Sequence, residues 1–435
     1  MGTGIENKNT SGLETDGIAS SSLKQKLIRF AASIAPGIFI VGYVIGTGSV
    51  TTLASAGASY SMSMTWVLAL ACLFTYVMLV SISRCTMASG QTIIYCIRQR
   101  FGRPVAIFII IGLMMTVVTS IMGVTAIASD ISREWSKIFI PGGNGIHPVI
   151  WTALFIAVLY CLFWFGKHNF FLNAMSVIVA IMGVCFLWSM FMVVPSIVDI
   201  AAGLVPRMPT EANANLMLAS IVGTTMASVC VVARSYLIAE SGWSLQDLKV
   251  DNRDAIISAS LTFVISAAIM ACAAGTMFPR GIVVREAIDM VITLQPIAGR
   301  FASTIFVFGI LAAALSCLFP GYMLGPWLVC DYLNVPRKMN RIIVRIAVLL
   351  VAMIGFTVPV FGGSPVIIMI ASQAISPIVM PLLVVLVFVI LNSKKSVGSY
   401  KNPVLLNIGL GITFIFSLFM SYAGLVGLVD FIRNL

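Results

Sequence analysis

Eleven apolar runs, each about 20 residues long and separated by short polar connections, leave this chain few folds to choose from. They fall at about 30–59, 64–83, 104–129, 148–166, 170–195, 214–240, 254–277, 301–327, 342–361, 364–391 and 404–429. A run of that length crosses a ~30 Å hydrocarbon core as a helix, so the pattern predicts an all-α polytopic membrane protein. A soluble fold would need a very large buried core and a charged surface, yet 60% of the 435 residues are hydrophobic and 9% are charged.

The charges say how such a chain is threaded. A net charge of +11 can signal nucleic acid, but here Lys and Arg sit in the connections between apolar runs, where they act as topology determinants, and no nucleic-acid partner is expected. If the N-terminus is cytosolic, 18 of the 26 Lys and Arg lie on the cytosolic side and 7 outside, with Arg234 left within a span. With an odd number of spans, that bias predicts N-in and C-out in the inner membrane. Residues 1–28 are polar and read as a flexible cytosolic tail, and 29–435 as one transmembrane domain. The nine cysteines show no CxxC pair, lie mostly in apolar segments, and read as small core residues. Residues 280–300 carry apolar positions at Val283, Ile288, Val291, Ile292 and Ile297, compatible with an amphipathic helix across the outer vestibule.

Two of the runs are interrupted. Gly46-Thr47-Gly48-Ser49, followed by Thr51 and Thr52, breaks the first, and Gly223-Thr224-Thr225 breaks the sixth. Glycines flanked by hydroxyls invite a helix to unwind, and unwound backbone inside a bilayer is tolerated where it lines a cavity or is buried in protein. Paired breaks in corresponding segments of two halves point to a transport site near the midplane. Runs one to five (about 30–195) and six to ten (about 214–391) then form two inverted repeats, with the eleventh (about 404–429) appended. Freed carbonyls with the hydroxyls of Thr47, Ser49, Thr51, Thr224 and Thr225 suit a hard or hydrated cation. Freed amides equally suit the carboxylate of an organic solute. The bland alternative is that Gly46 and Gly48 permit close helix packing.

Several segments resemble the Nramp family of divalent metal transporters: APGIFIVGY, AGASYSMSMTW, IVGTTMASV, AIDMVITLQPIAGRFA, SQAISPIVMPLL and LNSKKSVGSYKN, in that order. The resemblance implies a LeuT-type fold of two inverted five-helix repeats with helices 1 and 6 broken, and a metal site at the breaks. The family's first-span motif is Asp-Pro-Gly-Asn, and Gly46, Thr47, Gly48 and Ser49 fall there. Its sixth-span Met-Pro-His is replaced by Ala227, Ser228 and Val229, Thr224 falls where a family Ala offers its carbonyl, and Gln373 matches the tenth-span Gln. The implied metal site is Gly46, Thr47, Ser49, Thr224, Ala227 and Gln373.

Losing the thioether removes the ligand that favours Mn²⁺ and Fe²⁺ over Mg²⁺ and Ca²⁺. Losing the Asp removes the fixed charge that compensates a dehydrated ion. Both losses resemble the Nramp-related magnesium transporters, although those typically keep the Asn where Ser49 stands. The expectation is transport of hydrated Mg²⁺, or relaxed selectivity among Mg²⁺, Mn²⁺ and Ca²⁺. The family's proton route uses acidic residues in span three and histidines in span six, whereas residues 105–129 contain no Asp, Glu or His, so coupling by that route is not expected.

Arg234 is the charge left within a span, and it reads either as a structural pair with Glu240 or as an anion or gating site. The second possibility is the strongest argument for an organic solute as cargo. His147 and His168 sit at loop ends and read as solvated. No nucleophile–base–acid constellation, phosphate-cradling loop or nucleotide motif appears, so neither an enzyme nor a cofactor is expected. The expected partners are the metal cargo and the bilayer, with the chain acting as a monomer. The alternatives are a transporter of a small organic solute or amino acid, and a non-transporting membrane sensor.

Overall fold

The computed structural model describes residues 40–137, 144–165, 183–184, 186–188, 190–191, 202–207, 213–286, 288–290, 302–335, 341–398 and 400–433. Ten of the eleven apolar runs form helices among these residues, and the described residues of the fifth (183–184, 186–188 and 190–191) are helical as well. The rest of the fifth run lies outside them, as does the part of the vestibule segment from residue 291 to 301.

A short helical stretch, residues 40–44, precedes α1 (Thr47–Tyr60). Then come α2 (Thr65–Ser89), α3 (Ile93–Phe101), α4 (Arg103–Ser136) and α5 (Pro148–Trp164). The second half holds α6 (Ala214–Thr225), α7 (Ser228–Ser241), α8 (Leu248–Thr276), α9 (Ala302–Leu333), α10 (Ile342–Met353), α11 (Thr357–Phe361), α12 (Pro365–Leu391), α13 (Lys394–Val397) and α14 (Val404–Arg433). Among the described residues, eight helical segments are long and apolar enough to cross a membrane.

Burial sorts these helices into a centre and a rim. Every residue of α1 except Ser59 is buried, and so is every residue of α6 except Asn215. In contrast, α14 turns Leu405, Ile408, Ile412, Ile415 and Tyr422 outward, as a helix does when its outer face meets lipid. Inside, α12 is the hub: it packs against α4, α6 and α14, while α1 packs against α8 and α6.

Small residues let these backbones approach. A Cβ on Gly57 of α1 would lie 2.3 Å from the Met270 carbonyl of α8, so that crossing is closer than any side chain permits. The tightest case is Gly223. A Cβ there would lie 1.8 Å from the Gln373 carbonyl of α12. That carbonyl lacks its usual donor one turn later, because position 377 is proline and has no N–H.

This contact relocates the second break. Sequence placed it at Gly223-Thr224-Thr225, but α6 remains helical through Thr225, and the chain leaves the helix at Met226 and Ala227. Gly223 serves close packing, and unwinding occurs one turn later. The first break is likewise narrower than expected: it occupies Ile45 and Gly46, and Thr47, Gly48 and Ser49 already belong to α1.

Candidate functional site

The two breaks face each other across a cavity of about 40 Å³. Four of the six expected site residues line it, namely Gly46, Thr224, Ala227 and Gln373. Thr47 and Ser49 are not in the lining. Both stand in the first turn of α1 rather than in an unwound loop, so their side chains turn with the helix. The Ser49 hydroxyl donates to the Val44 carbonyl at the end of the preceding stretch and lies 2.7 Å from the Thr224 hydroxyl. Ser49 thus joins the two breaks behind the cavity. Thr47 is fully buried and its hydroxyl has no partner.

The second break is held open by α12 and α2. The Ser228 amide, left without an intrahelical acceptor at the start of α7, donates to the Ser376 hydroxyl at 3.0 Å. At the end of α6 the Thr225 carbonyl accepts from the Thr75 hydroxyl of α2 at 3.3 Å. Ser220, one turn before Thr224, donates to the Ile370 carbonyl at 2.6 Å. Both frayed ends are therefore pinned to rigid helices, which presents Thr224 and Ala227 to the cavity at low conformational cost.

Sequence reasoning missed Cys317 of α9 and Met369, Ser372 and Ser376 of α12, all in the lining. The last three carry a faint signal, because positions 369, 372, 373 and 376 share one helical face. Cys317 carried none, since it reads as one more small residue in an apolar run. Its sulfur lies where a Cβ on Gly46 would be, at 1.9 Å. Met369 is similarly admitted by glycines: a Cβ on Gly48 would lie 2.5 Å from its methyl carbon, and one on Gly123 2.5 Å from its sulfur. The described lining contains no carboxylate, histidine, lysine or arginine.

Arg234 is not a cavity residue, nor does it pair with Glu240. It is fully buried, whereas Glu240 is exposed six residues further along α7. Its guanidinium donates to Asp251 at 2.8 Å, to Asp254, and to the Ser83 hydroxyl at 2.9 Å. The Trp243 ring centroid is 5.7 Å away. Both carboxylates are buried in α8, at its N-terminal end. Asp251 fell in the charged connection before the seventh run and Asp254 was that run's first residue, so neither was read as a buried partner. His147 caps α5 by accepting from the Val149 amide at 3.3 Å, and His168 lies outside the described residues. No group of three or more His, Cys, Asp or Glu suited to a resident metal occurs among the described residues.

A helical bundle with two interrupted helices and a small cavity at their breaks has the LeuT-type architecture. Solved structures share this fold. The manganese transporter of Eremococcus coleocola, in complex with an aromatic bis-isothiourea substituted compound, matches with a TM-score of 0.72 at 15% identity, over 92% of this chain and 86% of that one. Mhp1, a nucleobase-cation-symport-1 family transporter, matches in its closed conformation with a TM-score of 0.60 at 16% identity, over 91% and 90% of the two chains.

Sequence narrows the class further. The family profile described as natural resistance-associated macrophage protein-like, Nramp, matches residues 37–427, and the chain belongs to that family. The protein of Erwinia tasmaniensis named divalent metal cation transporter MntH is 25% identical over 377 residues, 83% of this chain and 86% of its own length. Its namesake in Deinococcus radiodurans is 26% identical over 332 residues, 71% of each chain.

Proposed function

We propose that this protein carries divalent metal cations across the inner membrane by alternating access, as a monomer with a cytosolic N-terminus and an external C-terminus. The observation that carries the reading is the cavity itself, which gathers hydroxyl, amide and freed backbone oxygen donors from both breaks and from α12. The names of the MntH relatives support the same cargo class. Residues 1–28 act as a tail and 29–435 as the transport domain, which needs no cofactor.

The site favours relaxed selectivity among Mg²⁺, Mn²⁺ and Ca²⁺, because its oxygen donors are neutral. Size sets a limit on hydration. At roughly 10–15 Å³ per water position, the 40 Å³ cavity holds about three waters. An octahedral Mg²⁺ carries about six. In this conformation the ion sheds part of its shell to the protein's oxygens. An amino acid needs a pocket of several hundred Å³, so the organic-solute reading loses ground. Its main support was Arg234, which is committed to two aspartates outside the cavity.

The test is flux into proteoliposomes carrying separate interior dyes for metal and pH. Metal entry without acidification is the expected result, since the cavity offers no carboxylate or histidine to carry a proton. Manganese entry with acidification would overturn the uncoupled part of the reading, and absence of any metal flux would favour a non-transporting sensor.

The geometry of the first break also governs how a family-like set of ligands could be built here. Gly46→Asp with Ala227→Met restores the family's ligand types, yet the Asp Cβ would strike the Cys317 sulfur. The expected outcome is no gain in Mn²⁺ affinity for the pair. Adding Cys317→Ala should raise it by about tenfold, one charge-assisted contact's worth, by calorimetry.

A further inference from the structure

Away from the cavity, α2 and α8 lie side by side and antiparallel. Near one end the Tyr76 hydroxyl donates to the Asn252 side-chain oxygen at 2.9 Å, and near the other Thr65 meets the Met270 sulfur at 3.9 Å. Between these contacts the outer surfaces of the two helices part into a groove of about 490 Å³. Small buried residues, Cys72 and Ala259, form its floor, and Leu73, Ile256 and Val264 stand exposed along its rim. Neither helix carries a side chain at the floor large enough to fill the space between them. The groove's volume lies in the range of roughly 300–1,000 Å³ that holds small organic ligands. From Ile256 to Val264 it follows α8 for about 12 Å, at 1.5 Å per residue. One leaflet's hydrocarbon is about 15 Å deep, so the groove runs along most of it.

Charge at one end selects the occupant. Lys249, Arg253, Ile256, Ser260 and Val264 follow one another at spacings of four, three, four and four, which places both cations on the groove's face of α8. Both are exposed. The carboxylates of the same turns are directed elsewhere. Asp251 and Asp254 turn inward to Arg234, and Asp247 accepts from the Ser244 amide and hydroxyl. A hydrocarbon-lined groove therefore ends at two positive charges, just where α8 passes from apolar to polar sequence.

We infer that the α2–α8 groove is a binding site for an anionic glycerophospholipid. One acyl chain lies along Cys72 and Ala259, and the phosphodiester rests on Arg253 and Lys249. The long stems of the two cations let their charged ends reach headgroup level. A zwitterionic lipid offers the same chain, but its own cation offsets the phosphate and it gains little from Lys249 and Arg253. A free phosphate gains the charge and leaves the groove unfilled. The site is separate from the cavity between the breaks, with which it shares no lining residue. The lipid bridges two helices that each pack on a half of a broken one, α8 on α1 and α2 on α7.

The experiment uses the full-length protein in detergent with phosphatidylglycerol and phosphatidylcholine of matched chains, each carrying a diazirine on one acyl chain. After illumination, labelled peptides are read by mass spectrometry. At equal concentration phosphatidylglycerol should label residues 69–76 and 256–264 at least about tenfold more than phosphatidylcholine, which is within the worth of two surface cations. Lys249→Gln with Arg253→Gln should abolish that preference and leave phosphatidylcholine labelling unchanged. Lys394→Gln with Lys395→Gln removes two exposed cations of α13, outside the groove, and should keep the preference. Ala69→Phe, which places a ring in the groove, should lower labelling by both lipids in protein that still elutes as a single folded species. Equal labelling by the two lipids in the parent would overturn the anionic site, as would a preference that survives the Lys249, Arg253 variant. Loss of the preference in the Lys394, Lys395 variant would also overturn it, by showing a general surface-charge effect. The readout needs no flux, so its failure leaves the transport reading standing and the converse holds too.

Discussion

Arg234→Met is expected to destabilise the protein by about 3–5 kcal/mol, the usual cost of removing one partner from a buried ion pair. Arg234, Asp251 and Asp254 are all fully buried, so none can fall back on water. Without the guanidinium, two carboxylates remain in an apolar interior, and the Ser83 hydroxyl loses the donor it now accepts from. The triple variant Arg234→Met, Asp251→Asn, Asp254→Asn should regain most of the loss, because neutral replacements leave no stranded charge. Thermal unfolding in detergent, monitored by size-exclusion recovery, gives the ranking directly. A single variant as stable as the parent would show that the triad contributes nothing. Since the three residues tie α7 to α8 and α2, flux should fall with the single variant and partly return with the triple.

Gly223→Ala carries the second large effect, although it adds only one methyl group. Its Cβ would lie 1.8 Å from the Gln373 carbonyl oxygen, 2.7 Å from the carbonyl carbon and 3.1 Å from the Pro377 ring. None of these is the end of a flexible side chain, so α6 or α12 must shift as a unit. Overpacking of this kind costs about 1–3 kcal/mol, and more when backbone meets backbone. The functional cost should exceed the stability cost, because the displaced residue is Gln373 itself, whose amide faces the cavity. Metal flux is expected to fall by at least about tenfold while folded protein is still recovered, a 1 Å misplacement being worth up to about a hundredfold. Gly321→Ala, whose Cβ would meet only the Ile121 side chain at 3.7 Å, is the matched control and should stay near parental flux.

The legible part of the site was what lay on the broken helices. Gly46, Thr224 and Ala227 are cavity residues because a helix break exposes whatever flanks it, and a break announces itself through glycine and hydroxyls. The position within the break was harder to read. Gly223 looked like an unwinding signal, yet in a helix packed against a proline-freed carbonyl the same residue acts as a spacer. Thr47 and Ser49 were misplaced for the same reason: one residue decides whether a hydroxyl faces the cavity or turns behind it. Arg234 was recognised as a buried charge, but its partners sit 17 and 20 positions away, on the next helix.

By itself the sequence determined that the chain is a bundle of membrane-spanning helices interrupted twice, since run length and composition act through the bilayer and need no tertiary contact. Family membership was legible too, as an order of segments along the chain. Only the tertiary structure decided which atoms meet at the cavity. Cys317 and Met369 arrive there from two long, largely apolar helices, and Gly46 in the first break, Gly48 of α1 and Gly123 of α4 make room for them. Packing geometry between distant segments is a property of pairs of helices, and no local pattern encodes it.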